Sequence, residues 1–166
     1  MPPNIYDPDY DELRDHPGFR ARRARVGHQL ATERIGVSVW ELPPGQTAYP
    51  YHFHLAEEEV LVVLDGRPAL RTTDGWRRLE RGEVVRFPVG EAGAHQVAND
   101  TGEAIRFLAV STHGAPDVVL YPDEGKLGAV ERRPDGSGLK AYFRVGDAVD
   151  YNDRLTAPEV RDVDAA

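Results

Sequence analysis

The chain has 166 residues, the length of a single domain, and 40% of them are hydrophobic, which is enough for a sizeable core. Its formal net charge of −8 argues against nucleic acid and an anionic membrane surface as partners. The lack of cysteine excludes a disulfide framework and a thiolate zinc site. The N-terminal residues contain no apolar run of the signal-peptide type, and no stretch approaches the ~20 apolar residues of a membrane span, so we expect a cytoplasmic protein.

Residues 1–25 are predicted to form an arm rather than a core element, because an acidic stretch is followed directly by a basic one. The basic stretch contains Arg20, Arg22, Arg23 and Arg25. We expect these side chains to be solvated or to be neutralised within the segment. Contact with an anion or with a partner is the alternative.

From residue 26 onward, short apolar runs alternate with turn signals, which predicts β-strands. Residues 58–64 are apolar on both faces, which is typical of a central, buried strand. The other predicted strands are Ile35–Leu42, 48–55, 69–73, 76–79, 83–87, 94–98, 104–112, Asp117–Tyr121 and 139–145. Because no long window shows a helical period, the pattern predicts an antiparallel sandwich or barrel. Residues 132–138 are expected to form an exposed loop, and the end of the chain from Thr156 is expected to be frayed.

The candidate functional residues begin with two histidines, His52 and His54, in a predicted strand. Side chains alternate between the faces of a strand, so both imidazoles lie on one face. Glu59 follows at the start of the buried strand and shares its face with Leu61. A carboxylate on an apolar face is costly unless it is paired or binds a metal ion. The pattern therefore predicts a metal site.

His95 opens a later strand and is the fourth predicted ligand. Two other carboxylates compete with Glu59: Glu58 is expected to face away, and Glu57 to lie at the strand edge. The remaining histidines, expected to be surface residues or hydrogen-bonded core residues, are His16, His28 and His113.

The same residues resemble the two sequence motifs of the cupin superfamily. In the first motif, His52, His54 and Glu59 lie between Gly45 and Gly66, with four residues between His54 and Glu59. Six rather than five residues separate Gly45 from His52, which is a tolerable change in a loop.

The second motif runs from Gly82 through Pro88 and Gly90 to His95, with Asn99 after three further residues. Four rather than two residues separate Gly90 from His95, and this insertion is able to displace the histidine. The retained distance to Asn99 predicts that the strand register recovers. The stretches GAHQVAN and YPDEGKLG are similar to those of small single-domain bacterial cupins.

The resemblance implies an all-β fold: a single cupin double-stranded β-helix, or jelly-roll barrel, with an arm at each end. It places the arm at residues 1–25, the barrel at 26–121, and a C-terminal extension at 122–166 that packs on the barrel or on a partner subunit. A homodimer is expected, since cupin barrels commonly pair and the strand at 58–64 is apolar on both faces.

Three imidazoles and one carboxylate suit one divalent ion of Mn, Fe, Zn, Ni or Cu. The cupin resemblance implies that this ion keeps open coordination positions. The leading hypothesis is a metal-dependent enzyme of dioxygenase, isomerase or decarboxylase type that acts on a small oxygenated organic substrate. The alternative is a non-catalytic module that binds a small molecule or a structural metal ion. Residues expected to line a pocket, unless they are ordinary core, are Trp40, Tyr49, Tyr51, Phe87 and Phe107. No catalytic residue stands out.

Overall fold

The computed structural model describes residues 2–113, 116–131, 133 and 137–156. Its strands are β1 (Glu12–Arg14), β2 (Ala21–Ala24), β3 (Ile35–Leu42), β4 (Gln46–Thr47), β5 (Phe53–His54), β6 (Glu59–Asp65), β7 (Ala69–Thr72), β8 (Gly75–Arg78), β9 (Val84–Phe87), β10 (Gln96–Asn99), β11 (Ile105–Thr112), β12 (Asp117–Tyr121), β13 (Lys126–Val130) and β14 (Lys140–Arg144). The helical elements are α1 (Val26–Gln29) and short 3-10 helices at Glu91–Gly93, Pro122–Glu124 and Val145–Asp147. Within these ranges, no helix has the length and apolar character needed to cross a bilayer.

The strands form three antiparallel sheets. The largest has the order β1-β2-β3-β11-β6-β9, and the two smaller sheets have the orders β4-β10-β7-β8 and β14-β13-β12-β5. An isolated antiparallel bridge between His52 and His95 joins the two smaller sheets. The His52 N–H donates to the His95 carbonyl at 3.2 Å, and the His95 N–H donates back at 2.9 Å. The predicted all-β class is confirmed.

The hydrophobic core lies between the largest sheet and the strands that face it. Its buried side chains include Trp40, Leu42, Leu61, Val63, Phe87, Ile105 and Phe107 from the largest sheet, and Leu70 and Val97 from β7 and β10. Alternation along each strand explains this arrangement, because every second residue of β6 and β11 points to the same side. The cavity described below opens between the same two layers.

Strand β6 has an apolar residue on each of its faces because both faces are covered. Leu61 points into the main core, whereas Leu64 packs on the outer face with Ala24 and Val26 from the N-terminal segment. The strand lies between β11 and β9, so the predicted central position is confirmed. The chain therefore covers by itself part of the apolar surface that suggested a second subunit. The homodimer stays a prediction.

Both flanking segments take part in sheets. Strands β1 and β2 fall within the predicted arm at 1–25 and extend the largest sheet beyond β3. Strands β13 and β14 extend β12 in the same way at the other end of the chain. Residues 132 and 134–136 of the predicted loop, and residues 157–166 of the predicted frayed end, lie outside the described residues.

The core packing predicts a large loss of stability when Phe107 is replaced by alanine. Phe107 is fully buried, and its ring stacks on Trp40 with the centroids 6.1 Å apart. Removing the ring leaves a cavity, so Phe107→Ala should lower the free energy of unfolding by about 3–5 kcal/mol. Chemical denaturation measures this change. Val84→Ala, at an exposed position of β9, is the control and should change stability by about 0.5 kcal/mol or less. Equal effects of the two substitutions would contradict the assigned core.

Candidate metal centre and cavity

The four predicted ligands converge on one point between the sheets. Oε2 of Glu59 lies 3.4 Å from Nε2 of His54 and 3.4 Å from Nε2 of His95. The His52 ring centroid lies 5.0 Å from that of His54 and 4.7 Å from that of His95. Ligand atoms held about 2.1 Å from one ion lie about 3.0–3.4 Å apart, so these separations are of the right size.

Each of the three imidazoles is oriented by a contact of Nδ1 with an oxygen atom of the chain. The partners are the carbonyl oxygens of Pro50 for His52 (3.0 Å) and Gly93 for His95 (2.9 Å), and the carboxylate of Asp117 for His54 (2.5 Å). An imidazole that donates from Nδ1 presents the lone pair of Nε2 to the other side. This arrangement is the one that a metal centre requires.

Burial keeps two of these imidazoles neutral. It lowers the pKa of His52 well below its usual value, and the repulsion that a second proton on His95 or His54 would cause adds to the effect. Burial also lowers the pKa of His95. Burial alone would lower the pKa of His54 too, but the hydrogen bond to Asp117 and the charge of Glu59 raise it instead. A metal ligand must be unprotonated, so the low pKa of His52 and His95 favours coordination.

Glu59 supplies the test of whether these residues fit a metal ion. Its Oε2 atom is buried and has no hydrogen-bond partner in the part of the chain that the structure describes. A buried carboxylate oxygen without a partner is costly, and a divalent ion in contact with it removes that cost. His52, His54 and Glu59 place their ligand atoms within 4.8 Å of one another, close enough to hold one ion. The residues therefore fit.

The insertion before His95 does not displace the histidine but forms part of the site. Residues Glu91–Gly93 make one turn of 3-10 helix, which takes up the extra residues of the second motif. A side chain at Gly93 would lie 1.8 Å from the carbonyl oxygen of Pro88, so only glycine fits there. The turn ends with the Gly93 carbonyl beside Nδ1 of His95.

A second group of titratable residues, which the sequence pattern did not predict, lies behind His54. Asp117 is 1% exposed, and its Oδ1 also accepts the N–H of Ala56 at 3.0 Å. Glu57 is 4% exposed, and its Oε2 lies 3.9 Å from Nδ1 of His54 and 4.0 Å from Nε2 of His113. Together, His54, Glu57 and Asp117 make a second set that can hold a metal ion.

The sequence predicted where these residues lie along the chain, but not the contacts that they make. Glu57 lies just before β6, as predicted, and is buried. His113 forms a hydrogen bond of 3.0 Å with the Ser111 hydroxyl, within the expectation for an ordinary histidine, and it also lines the cavity with Glu57. Asp117 was predicted only as the start of a strand. A carboxylate at the head of the apolar run DVVLY was the available signal, since the same argument selected Glu59.

A cavity of about 280 Å³ opens beside the ligands, and three predicted lining residues form part of its wall: Trp40, Tyr49 and Phe87. Phe87 stacks flat on His95, with the ring centroids 3.7 Å apart. Tyr49 meets His52 edge to face at 4.8 Å. These aromatic rings hold the imidazoles in place and make the wall beside them apolar.

The other two aromatic residues that were predicted to line the pocket, Tyr51 and Phe107, lie elsewhere. Tyr51 has the strand parity of Phe53, opposite to His52, and its ring packs under the Arg71 guanidinium at 4.0 Å. Phe107 is fully covered by its neighbours in the main core and does not reach the cavity.

The flanking segments complete the cavity wall. Arg14 and Arg23 come from β1 and β2, and Lys140 and Tyr142 come from β14. A side chain on Gly128 would lie 2.8 Å from the ring of Tyr142, so this glycine makes room for the tyrosine. Segments on both sides of the central strands thus contribute side chains to the cavity wall.

A family model of the cupin domain matches residues 38–111, the stretch that contains all four predicted ligands. This stretch of the chain is a cupin domain. A proposed sugar phosphate isomerase from Acidithiobacillus ferrooxidans has a similar structure, with a TM-score of 0.71 and 26% identity over 81% of this chain and 83% of that one. The double-stranded β-helix expected from the sequence is thereby confirmed.

Two further solved structures share the fold of this cupin. A sugar phosphate isomerase of the cupin superfamily from Silicibacter pomeroyi has a TM-score of 0.70 and 24% identity, covering 82% of this chain and 83% of that one. A polyketide cyclase from Streptomyces resistomycificus has a TM-score of 0.55 and 23% identity, covering 66% and 76%. A comparison with curated proteins finds no match.

The contact between His54 and Asp117 predicts that Asp117→Asn weakens metal binding about 10–100-fold. Asparagine removes the negative charge and leaves one acceptor oxygen for two donors, the His54 imidazole and the Ala56 N–H. Competition with a chelating indicator measures the metal dissociation constant. Asp123→Asn, an exposed residue paired with Arg71, is the matched control and should bind the ion as the unmodified protein does. An unchanged constant in Asp117→Asn would show that this carboxylate does not orient His54.

Proposed function

We propose that this cupin is a metal-dependent enzyme acting on a small oxygenated organic molecule, with isomerase chemistry as the first candidate. The observation that carries the proposal is the buried Oε2 atom of Glu59, which lies within 3.4 Å of two imidazole nitrogens and has no hydrogen-bond partner among the described residues. The ligands border a cavity large enough for a small substrate. One divalent ion held by His52, His54, Glu59 and His95 would pair with this oxygen atom and would lie beside the cavity.

A bound divalent ion supplies Lewis acidity toward a carbonyl or hydroxyl oxygen of the substrate. The chain supplies orientation and exclusion of water, because the rings of Phe87 and Tyr49 pack against the ligands. Burial raises the pKa of Tyr49 well above its usual value, so its hydroxyl stays protonated and is able to donate a hydrogen bond to a substrate oxygen. Glu57 and His113 line the same cavity and are the candidates to accept or return a proton.

Isomerase chemistry comes first because of the similarity to the proposed sugar phosphate isomerase from Acidithiobacillus ferrooxidans. Isomerisation of a hydroxy-carbonyl compound moves protons between adjacent atoms and needs no oxidant. A cavity that combines an ion with side chains able to exchange protons suits that reaction. Dioxygenase and decarboxylase chemistry use the same ligand set and remain the other types in the proposal.

The rival is a non-catalytic module in which the ion is structural. Four protein ligands are enough for a closed tetrahedral site, and the separations of 3.4 Å suit that geometry. Removal of the ion would then unfold the protein or abolish ligand binding, with no turnover to lose.

Metal analysis of the protein purified without added metal tests the site directly. We expect one divalent ion per chain, and we expect His52→Ala to lose most of it, because the variant lacks one of the four ligands. His16→Ala is the control, since His16 is exposed and lies beside Phe19 in the N-terminal arm. A metal content that is the same in His52→Ala and His16→Ala would contradict the proposed ligand set.

Measurement of turnover then distinguishes an enzyme from a non-catalytic module. Metal-loaded protein should interconvert members of a panel of aldose and ketose phosphates, and chelation should abolish the activity without unfolding the protein. If metal-loaded protein shows neither turnover nor a ligand-induced change in its metal spectrum across a broad panel of oxygenated compounds, the non-catalytic module is correct.

A further inference from the structure

Two guanidinium groups lie in the wall of the cavity that also holds the metal ligands. Arg14 and Arg23 come from the neighbouring strands β1 and β2, outside the region that the cupin family model matches. In the sequence, Arg23 belongs to a basic stretch for which a solvated position was expected and contact with an anion was the alternative. The position of Arg23 in the cavity wall supports that alternative, contact with an anion.

Contacts on three sides fix the positions of both guanidinium groups. Their central carbons lie 5.0 Å (Arg14) and 4.9 Å (Arg23) from the centre of the Trp40 ring. Glu12 lies between them, 3.4 Å from Nε of Arg14 and 3.5 Å from Nη1 of Arg23. Arg23 also donates to the Ser38 hydroxyl at 2.9 Å. Groups held in this way lose little further freedom when they bind a ligand.

Glu12 is a carboxylate that lies beside both guanidinium groups of this pair. Arg22, on the outer face of β2, instead has the Glu41 carboxylate beside it. Nη1 of Arg14 donates to the carbonyl oxygen of Ala48 at 3.1 Å, and its Nη2 has no hydrogen bond to any residue that the structure describes. A guanidinium has five N–H donors, so Arg14 retains donors for a ligand.

The cavity as a whole favours a negatively charged occupant. Its charged lining residues, apart from the histidines, are Arg14, Arg23, Lys140, Glu57 and Glu59. A divalent ion bound at Glu59 would leave positive charge in clear excess along this wall. A partly enclosed, positively charged cavity attracts anions, and paired guanidinium groups suit the oxygen atoms of phosphate and carboxylate groups.

We propose that Arg14 and Arg23 form an oxyanion-binding subsite, so that the substrate carries a phosphate or carboxylate group. The anionic group docks on the two guanidinium groups above Trp40, and the oxygenated end of the same molecule faces the histidines. Tyr49 lies between the two ends, 5.9 Å from Trp40 and 4.8 Å from His52 measured between ring centroids. The inference rests on the proposed function in treating this cavity as the substrate site.

Anion binding to the full-length protein tests the subsite without any need for turnover. Inorganic phosphate and acetate are titrated separately into the protein as purified and into chelator-treated protein, so that binding to the guanidinium groups is distinguished from binding to a metal ion. The chain has 2 tryptophans, so Trp76→Phe, at an exposed position, leaves Trp40 as the single fluorescent reporter beside the guanidinium groups. Calorimetry on the unmodified protein provides a second readout.

We expect at least one anion to bind saturably, with an affinity that falls about tenfold or more in Arg14→Gln and in Arg23→Gln. Arg22→Gln is the matched control on the same strand and should bind as before. The preferred anion shows whether the substrate group is a phosphate or a carboxylate. If neither anion saturates, or if Arg22→Gln weakens binding as much as the other two variants, the subsite does not exist.

Two further variants keep the result interpretable. Arg14→Lys and Arg23→Lys retain the charge but lose the forked donor geometry, so they should show an intermediate affinity even if the glutamine variants fold poorly. His52→Ala should lose the metal ion and keep the anion affinity. Anion binding without metal binding would reject the proposed function alone, and metal binding without anion binding would reject the subsite alone.

Discussion

Two backbone hydrogen bonds between His52 and His95 join the two smaller sheets, and the same two residues supply half of the predicted metal ligands. The position of the site therefore depends on the pairing that completes this layer of the fold. Glu59 reaches the same point from β6 in the opposite layer, where its carboxylate oxygen is buried beside the imidazoles. An ion bound here would connect the two layers, which links the stability of the fold to the occupancy of the site.

The residues predicted to form the site come both from the region that matches the cupin domain and from the segments outside it. Residues 38–111 carry the four predicted ligands and the aromatic rings that pack against them. The residues outside this region that reach the site have other roles: Asp117 orients His54, and Arg14 and Arg23 add positive charge to the cavity wall. In the proposed account, the shared fold holds the ion and the flanking strands select the molecule that fits beside it.

The sequence predicted those parts of the site that depend on strand alternation. His52, His54 and Glu59 follow from the alternation of side chains, and the bounds of β3 agree with the prediction. The apolar run that follows Asp117 marked it as a buried carboxylate, but its pairing with His54 depends on contact between segments about sixty residues apart, which local pattern does not encode. The arm from which Arg14 and Arg23 reach the cavity contains no long apolar run, so its strands were not recognised.

Anomalous X-ray diffraction from crystals of the protein with its native metal tests the central claim most directly. The account predicts one anomalous peak about 2.0–2.3 Å from Nε2 of His52, His54 and His95 and from the carboxylate of Glu59. The group formed by His54, Glu57 and Asp117 offers a different position, on the Nδ1 side of the same imidazole. A peak at that position, or the absence of any peak near the three histidines, would contradict the account.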